Sequence, residues 1–151
     1  MTLISSRMTF YSKRVFPAVW FGFLALFILT AVAASGGRGF QPAFLIIPLF
    51  MAVFGFFLFK KLVFDLVDEV WDAGTELVVK NKDQIERIPL SNIMNVSYMN
   101  LSNPPRVTLT LRTPGLLGKE VTFSPPVRWI PFARSPIVDQ LIERVDAARS
   151  R

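Results

Sequence analysis

Two stretches decide how this chain is read: Val15–Ala34, VFPAVWFGFLALFILTAVAA, and Phe40–Phe59, FQPAFLIIPLFMAVFGFFLF. Each runs 20 residues without a charge. At about 1.5 Å per residue a helix of that length spans roughly 30 Å, the hydrocarbon thickness of a bilayer. Only Ser35-Gly36-Gly37-Arg38-Gly39 joins them, and that is too short to recross. The expectation is a transmembrane helical hairpin: helices over 15–34 and 40–59, an external turn over 35–39, and both ends on one side.

Charge orients that hairpin. The 151 residues carry a net +6, from 17 basic and 11 acidic side chains. Residues 1–61 hold Arg7, Lys13, Arg14, Arg38, Lys60 and Lys61 and not one Asp or Glu, so the entire excess lies there. The same region is the greasiest: 13 of the 15 phenylalanines fall within the first 64 residues. A basic nucleic-acid-binding face is therefore excluded, because the charge flanks membrane segments instead of covering a soluble surface. Lys13, Arg14, Lys60 and Lys61 flank the hairpin as anchors, and with Arg7 they outnumber the single Arg38 of the connecting loop. The positive-inside bias then places both termini in the cytoplasm, in a multi-pass protein of the cytoplasmic (inner) membrane with residues 1–14 as a cytoplasmic N-terminal segment.

The remaining features of this half have modest readings. Ala31-Val32-Ala33 has the form of a signal-peptidase site, yet signal cores usually run about 7–15 residues and this run is longer, so an uncleaved span is expected. Ala18-x-x-x-Gly22 is a small-residue face that allows close helix packing, either as a dimer seam in a homo-oligomer or against the second helix of the same hairpin. Pro48 is expected to bend the second helix, and Pro17 to sit in a first turn. No charge lies inside either run, so there is no equipment for transport or proton relay.

Chemistry is limited by what is missing. The chain has no cysteine and no histidine, which removes disulfides, thiolate catalysis, Cys- or His-type metal sites and the commonest general base. A non-enzymatic protein without cofactor or resident metal is expected.

After Lys61 the pattern changes to short strand-like runs with turn punctuation. Strands are expected at Leu66–Asp72, Glu76–Lys80, Gln84–Leu90, Ile93–Asn100, Arg106–Arg112 and Lys119–Ser124. The fifth alternates cleanly, with Val107, Leu109 and Leu111 on one face and Arg106, Thr108, Thr110 and Arg112 on the other. Ser135-Pro136 then opens a helix as N-cap and first-turn proline, and Ile137, Leu141, Val145 and Ala148 recur at helical spacing. The fold class expected is an α+β membrane protein: the hairpin, then a small antiparallel β-barrel or bent sheet capped by a C-terminal helix.

The stretches Val67-Asp68-Glu69-Val70-Trp71-Asp72-Ala73-Gly74, Leu77-Val78-Val79 and Ile88-Pro89-Leu90-Ser91-Asn92-Ile93-Met94-Asn95-Val96 resemble the bacterial pleckstrin-homology-like domains. The likeness covers about residues 66–149. It implies a short strand-rich cytoplasmic domain ending in one helix and hanging from membrane helices. Relatives that hold phosphoinositides place basic residues in the first strand–strand loop. This chain has Asp72-Ala73-Gly74-Thr75-Glu76 there, so the resemblance does not carry inositide binding by that route.

Two clusters are candidate sites. Asp65, Asp68, Glu69, Asp72 and Glu76 form a run of carboxylates that could dock a basic partner, bind a divalent cation weakly, or simply be a solvated face. Pro125–Arg134 interleaves Arg128 and Arg134 with Trp129, Ile130 and Phe132, which suits a protein hot spot, a membrane interface, or a cap on the core. The function expected is that of an accessory or scaffold protein that presents its domain to another integral membrane protein. The alternative is a lipid-responsive module that reads anionic headgroups through Arg128–Arg134.

Overall fold

The computed structural model describes residues 1–36, 41–102, 104–126, 130 and 133–151. The chain divides into two compact units, one of residues 10–64 and one of residues 1–9 with 65–151.

In the first unit a helix covers all of the first uncharged run and the second from Ala43 on, and each helix continues past its run at the end that carries a basic pair. Helix α1 spans Met8–Ala34 and α2 spans Ala43–Phe64, each long and apolar enough to cross a membrane. The extra turns hold the basic pairs, because a helix continues past its apolar stretch until a turn residue or sheet pairing stops it. Each basic pair lies in a π-turn, Tyr11–Val15 in α1 and Lys60–Phe64 in α2. Phe59 meets Phe16 edge-on at 5.4 Å between ring centroids, and Phe21 at 6.2 Å. The start of α1 therefore lies beside the end of α2, as an antiparallel hairpin requires. Gly55 is the small residue at that contact: a Cβ there would fall 2.7 Å from Trp20 Nε1. Ala18 and Gly22 instead are exposed, and a Cβ on Gly22 would meet nothing within 4 Å. The small-residue face thus does not pack on the second helix. Pro48 lies inside α2 as expected. Of the turn expected over 35–39, Gly37, Arg38 and Gly39 lie outside the described residues; Gly36 has φ +53°, which favours glycine.

The second unit is built from two antiparallel sheets and a helix. Strands β1 (Thr2–Leu3), β2 (Glu69–Asp72), β3 (Glu76–Asn81) and β4 (Gln84–Pro89) form one sheet in that order. A 3-10 turn at Leu90–Asn92 leads to the second sheet, β5 (Ile93–Met99), β6 (Arg106–Gly115) and β7 (Gly118–Phe123). Helix α3 (Pro136–Arg149) follows. Six strands and the helix match the sequence reading closely. The alternation in β6 is borne out, with Val107, Leu109 and Leu111 fully buried. Helix α3 buries Val138, Leu141 and Val145 against the sheets, and Ile137, Ile142 and Ala148 are partly buried beside them. Ser135 does precede the helix in extended conformation, but its carbonyl rather than its hydroxyl accepts the first amides, from Val138 at 3.0 Å and Asp139 at 3.1 Å.

Two expectations need correction. The sheets do not close into a barrel. At one seam the strand entering β2 makes a single parallel bridge, Leu66 to Thr122. At the other seam a side chain stands in for a ladder: the Glu86 carboxylate accepts the Leu117 N–H at 3.0 Å. The second correction is β1, which no pattern of residues announces. Thr2 and Leu3 pair with Asp72 and Trp71, and the Ile4 N–H donates to the Val70 carbonyl at 2.9 Å. Ile4 is 2% exposed and belongs to the core of this unit. Ser5 Oγ accepts the Val70 N–H at 3.0 Å, and the Ser6 N–H donates to the Ser124 carbonyl. Residues that precede both apolar helices thus complete a sheet made from residues that follow them.

Candidate functional site

The five carboxylates of the acidic run do not form one free face. Asp72 is engaged by Arg144 of α3, whose guanidinium contacts both carboxylate oxygens and the Gly74 carbonyl. That hydrogen bond holds the Asp72 carboxyl below the usual carboxylate range, against the opposing effect of its burial. Asp68 accepts the Lys82 N–H at 2.7 Å, Glu69 accepts the Trp71 indole N–H at 3.0 Å, and Glu76 accepts from Arg87 at 2.8 Å. Asp65 is exposed. Most of these groups are thereby committed to turns and strand pairs within the domain. No group of three or more His, Cys, Asp or Glu that could hold a metal occurs among the described residues. Of the basic–aromatic segment, Arg128, Trp129 and Phe132 lie outside the described residues; Ile130 is 68% exposed and Arg134 is exposed.

A concavity lies elsewhere, on the outer face of the four-stranded sheet. In β2 and β3, Val70, Leu77 and Val79 point into the core, so their neighbours Trp71, Val78 and Lys80 point out. Register sets Trp71 opposite Val78, and Lys80 opposite Ile85 of β4. With Met1 these residues line an open groove of about 300 Å³ whose walls are almost wholly apolar. The Glu69 carboxylate fixes the ring of Trp71 through its indole N–H. Ile85, 60% exposed, forms the far wall. Lys80 is the one charged residue among those that line it, and the groove's surface remains almost wholly apolar. Its surface is suited to seating an apolar group. The signal for it was present in the sequence: ELVVK and QIERI carry apolar residues on both faces of their strands, where a half-buried strand would carry them on one.

No family model, curated protein or solved structure matches the chain.

Proposed function

We propose that the chain is a non-enzymatic accessory or scaffold protein of the cytoplasmic membrane. Its hairpin spans the bilayer with both ends cytoplasmic, and its second unit, a pleckstrin-homology-like domain, binds another integral membrane protein. The observation that carries this reading is the pairing of β1 with β2. Chain from before α1 and chain from after α2 meet in one sheet, which supports a hairpin of two crossings with both flanks on the same side. Exposure of the helices supports insertion: only 11% and 17% of their most apolar windows are buried. Side chains such as Ile47, 69% exposed, and Phe50, 70% exposed, have no protein to cover them within the described residues. Lipid is the solvent that suits them.

The pleckstrin-homology-like reading is supported by the order of elements, two antiparallel sheets followed by one helix. A binding role draws support from the groove beside Trp71, since an ordered aromatic wall next to exposed aliphatic side chains is the composition of an interface core. The test is affinity purification of the full chain in mild detergent. A membrane protein recovered in fixed stoichiometry by the wild type, and lost with Ile85→Glu, supports the reading. Recovery unchanged by Ile85→Glu and Val78→Glu places the partner off this groove.

A further inference from the structure

The groove beside Trp71 lies close, along the chain, to both apolar helices. Asp68 is four residues past Phe64, the last residue of α2, an extended reach of about 14 Å at most. Asp68 is tied to the third strand and its turn: its N–H donates to the Lys80 carbonyl at 3.0 Å, and its carboxylate accepts the Lys82 N–H at 2.7 Å. Lys80 stands opposite Ile85 in the β3–β4 ladder, and both line the groove. Met1, on another wall, is seven residues before Met8, the first residue of α1. Anything seated in the groove therefore comes within a few extended residues of the helix ends.

The surrounding charge narrows the occupant. Residues 65–89, which form β2 to β4 with their turns, carry seven carboxylates against Lys80, Lys82 and Arg87. Setting Arg144 against Asp72 still leaves the carboxylates in excess. Glu69 holds the Trp71 indole, a neutral donor, so that contact orders the ring and leaves the net charge as it was. Asp65 and Asp83 are exposed. A leaflet rich in anionic lipid is repelled by such a surface. The cytoplasmic flank of a transmembrane helix is attracted to it, because those flanks are enriched in Lys and Arg. The same flanks place Trp, Tyr and aliphatic side chains at the membrane edge, which is what an apolar groove beside a ring accepts.

We propose that the groove seats an apolar side chain from the basic cytoplasmic flank of a transmembrane helix in the partner protein. The inference rests on the membrane-protein partner proposed above and names the part of it that docks. One large aromatic or aliphatic side chain enters the roughly 300 Å³ groove against Trp71, between Val78 and Ile85. The neighbouring lysines and arginines of that flank face the carboxylate-rich surround.

The test is photocrosslinking of the full chain in its native membranes, with p-benzoylphenylalanine at position 85 and the joined peptide mapped by mass spectrometry. Ile85 is 60% exposed, so the group leaves the core undisturbed. The expected crosslink falls within about 15 residues of the cytoplasmic end of a transmembrane helix in another protein, in a stretch of net positive charge. The same group at position 99, 59% exposed on the second sheet, should not give it. Asp83→Lys should lower the yield about threefold at low salt and hardly at all at high salt. A crosslink in a distant soluble part of the partner overturns this inference and leaves the accessory role standing. So does a crosslink in an acidic segment, or a yield that ignores Asp83→Lys. A crosslink to lipid or to a second copy of this chain overturns the flank as occupant. Position 85 giving no product beyond that of position 99 overturns the groove as a docking surface, and the binding role it supports.

Discussion

Arg144 in the third turn of α3 forks onto both carboxylate oxygens of Asp72 at the end of β2, across 72 residues of sequence. The same carboxylate accepts the Gly74 N–H at 2.9 Å, and Arg144 also reaches the Gly74 carbonyl. One ion pair therefore fixes both the β2–β3 turn and the docking of the helix. The Asp72 side chain is 18% exposed and that of Arg144 is 37% exposed, so water screens the pair in part. Arg144→Ala is expected to cost about 1–2 kcal/mol, read as a urea midpoint shift of the full chain in micelles. A double-mutant cycle with Asp72→Asn should return a coupling of about 1 kcal/mol.

The pair also sets a pH dependence. Asp72 is lowered by the Arg144 hydrogen bond, so its contribution is complete above the unfolded value of about 4. It is lost as pH falls through the lowered folded value. Arg144 is raised by the Asp72 hydrogen bond, so its contribution stands below about pH 12 and disappears only in strong alkali. The stability gap between wild type and Asp72→Asn should be flat from about pH 5 to 8 and narrow below about pH 4. A gap that changes between pH 5 and 8 would assign the effect to another group.

Gly115 gives a sharper test of the seam between the sheets. A Cβ at this position would lie 1.5 Å from Glu86 Oε1, so Gly115→Ala must displace the Glu86 side chain and break its bond to the Leu117 N–H. The expected loss is about 1–2 kcal/mol. Combining it with Glu86→Ala should cost little beyond Glu86→Ala alone, because the clash and the bond disappear together.

Lys82 turns the β3–β4 hairpin at φ 54°, a left-handed conformation that costs a residue with a Cβ about 1 kcal/mol. Lys82→Gly should therefore raise stability by a few tenths to about 1 kcal/mol, since its N–H can still donate to Asp68. A loss of stability would show that the lysine side chain contributes more than the relieved strain.

Ile4 tests the strand that the sequence concealed. Ile4→Ala should destabilise the second unit by about 2–4 kcal/mol, as a fully buried core position, although it precedes both apolar helices. An effect within about 0.5 kcal/mol would remove β1 from the core.

What could be read in the sequence follows the range of the forces involved. The apolar helices, the alternation of Val107, Leu109 and Leu111, and the stripe of α3 are periodic within one element and were legible. β1 was not, because two residues paired by backbone carry no period and Thr2 meets Asp72 across the whole hairpin. The acidic run read as a surface because its partners, Arg144 and the Lys82 amide, are distant in sequence or carry no side-chain signature. The small-residue motif did not reveal the contact within the hairpin for a similar reason: Ala18 and Gly22 have the spacing, but the Trp20 ring selects Gly55 on the opposite helix.

The central claim is a hairpin with both ends on one side, and single-cysteine labelling tests it most directly because the chain has no cysteine to remove. Ser35→Cys, just after α1, Arg7→Cys, before it, and Ser150→Cys, after α3, are each treated with a membrane-impermeant maleimide in sealed right-side-out vesicles. The account predicts that Ser35→Cys labels at once and that Ser150→Cys and Arg7→Cys label only after permeabilisation. Ser35→Cys and Ser150→Cys labelling from the same side would contradict it.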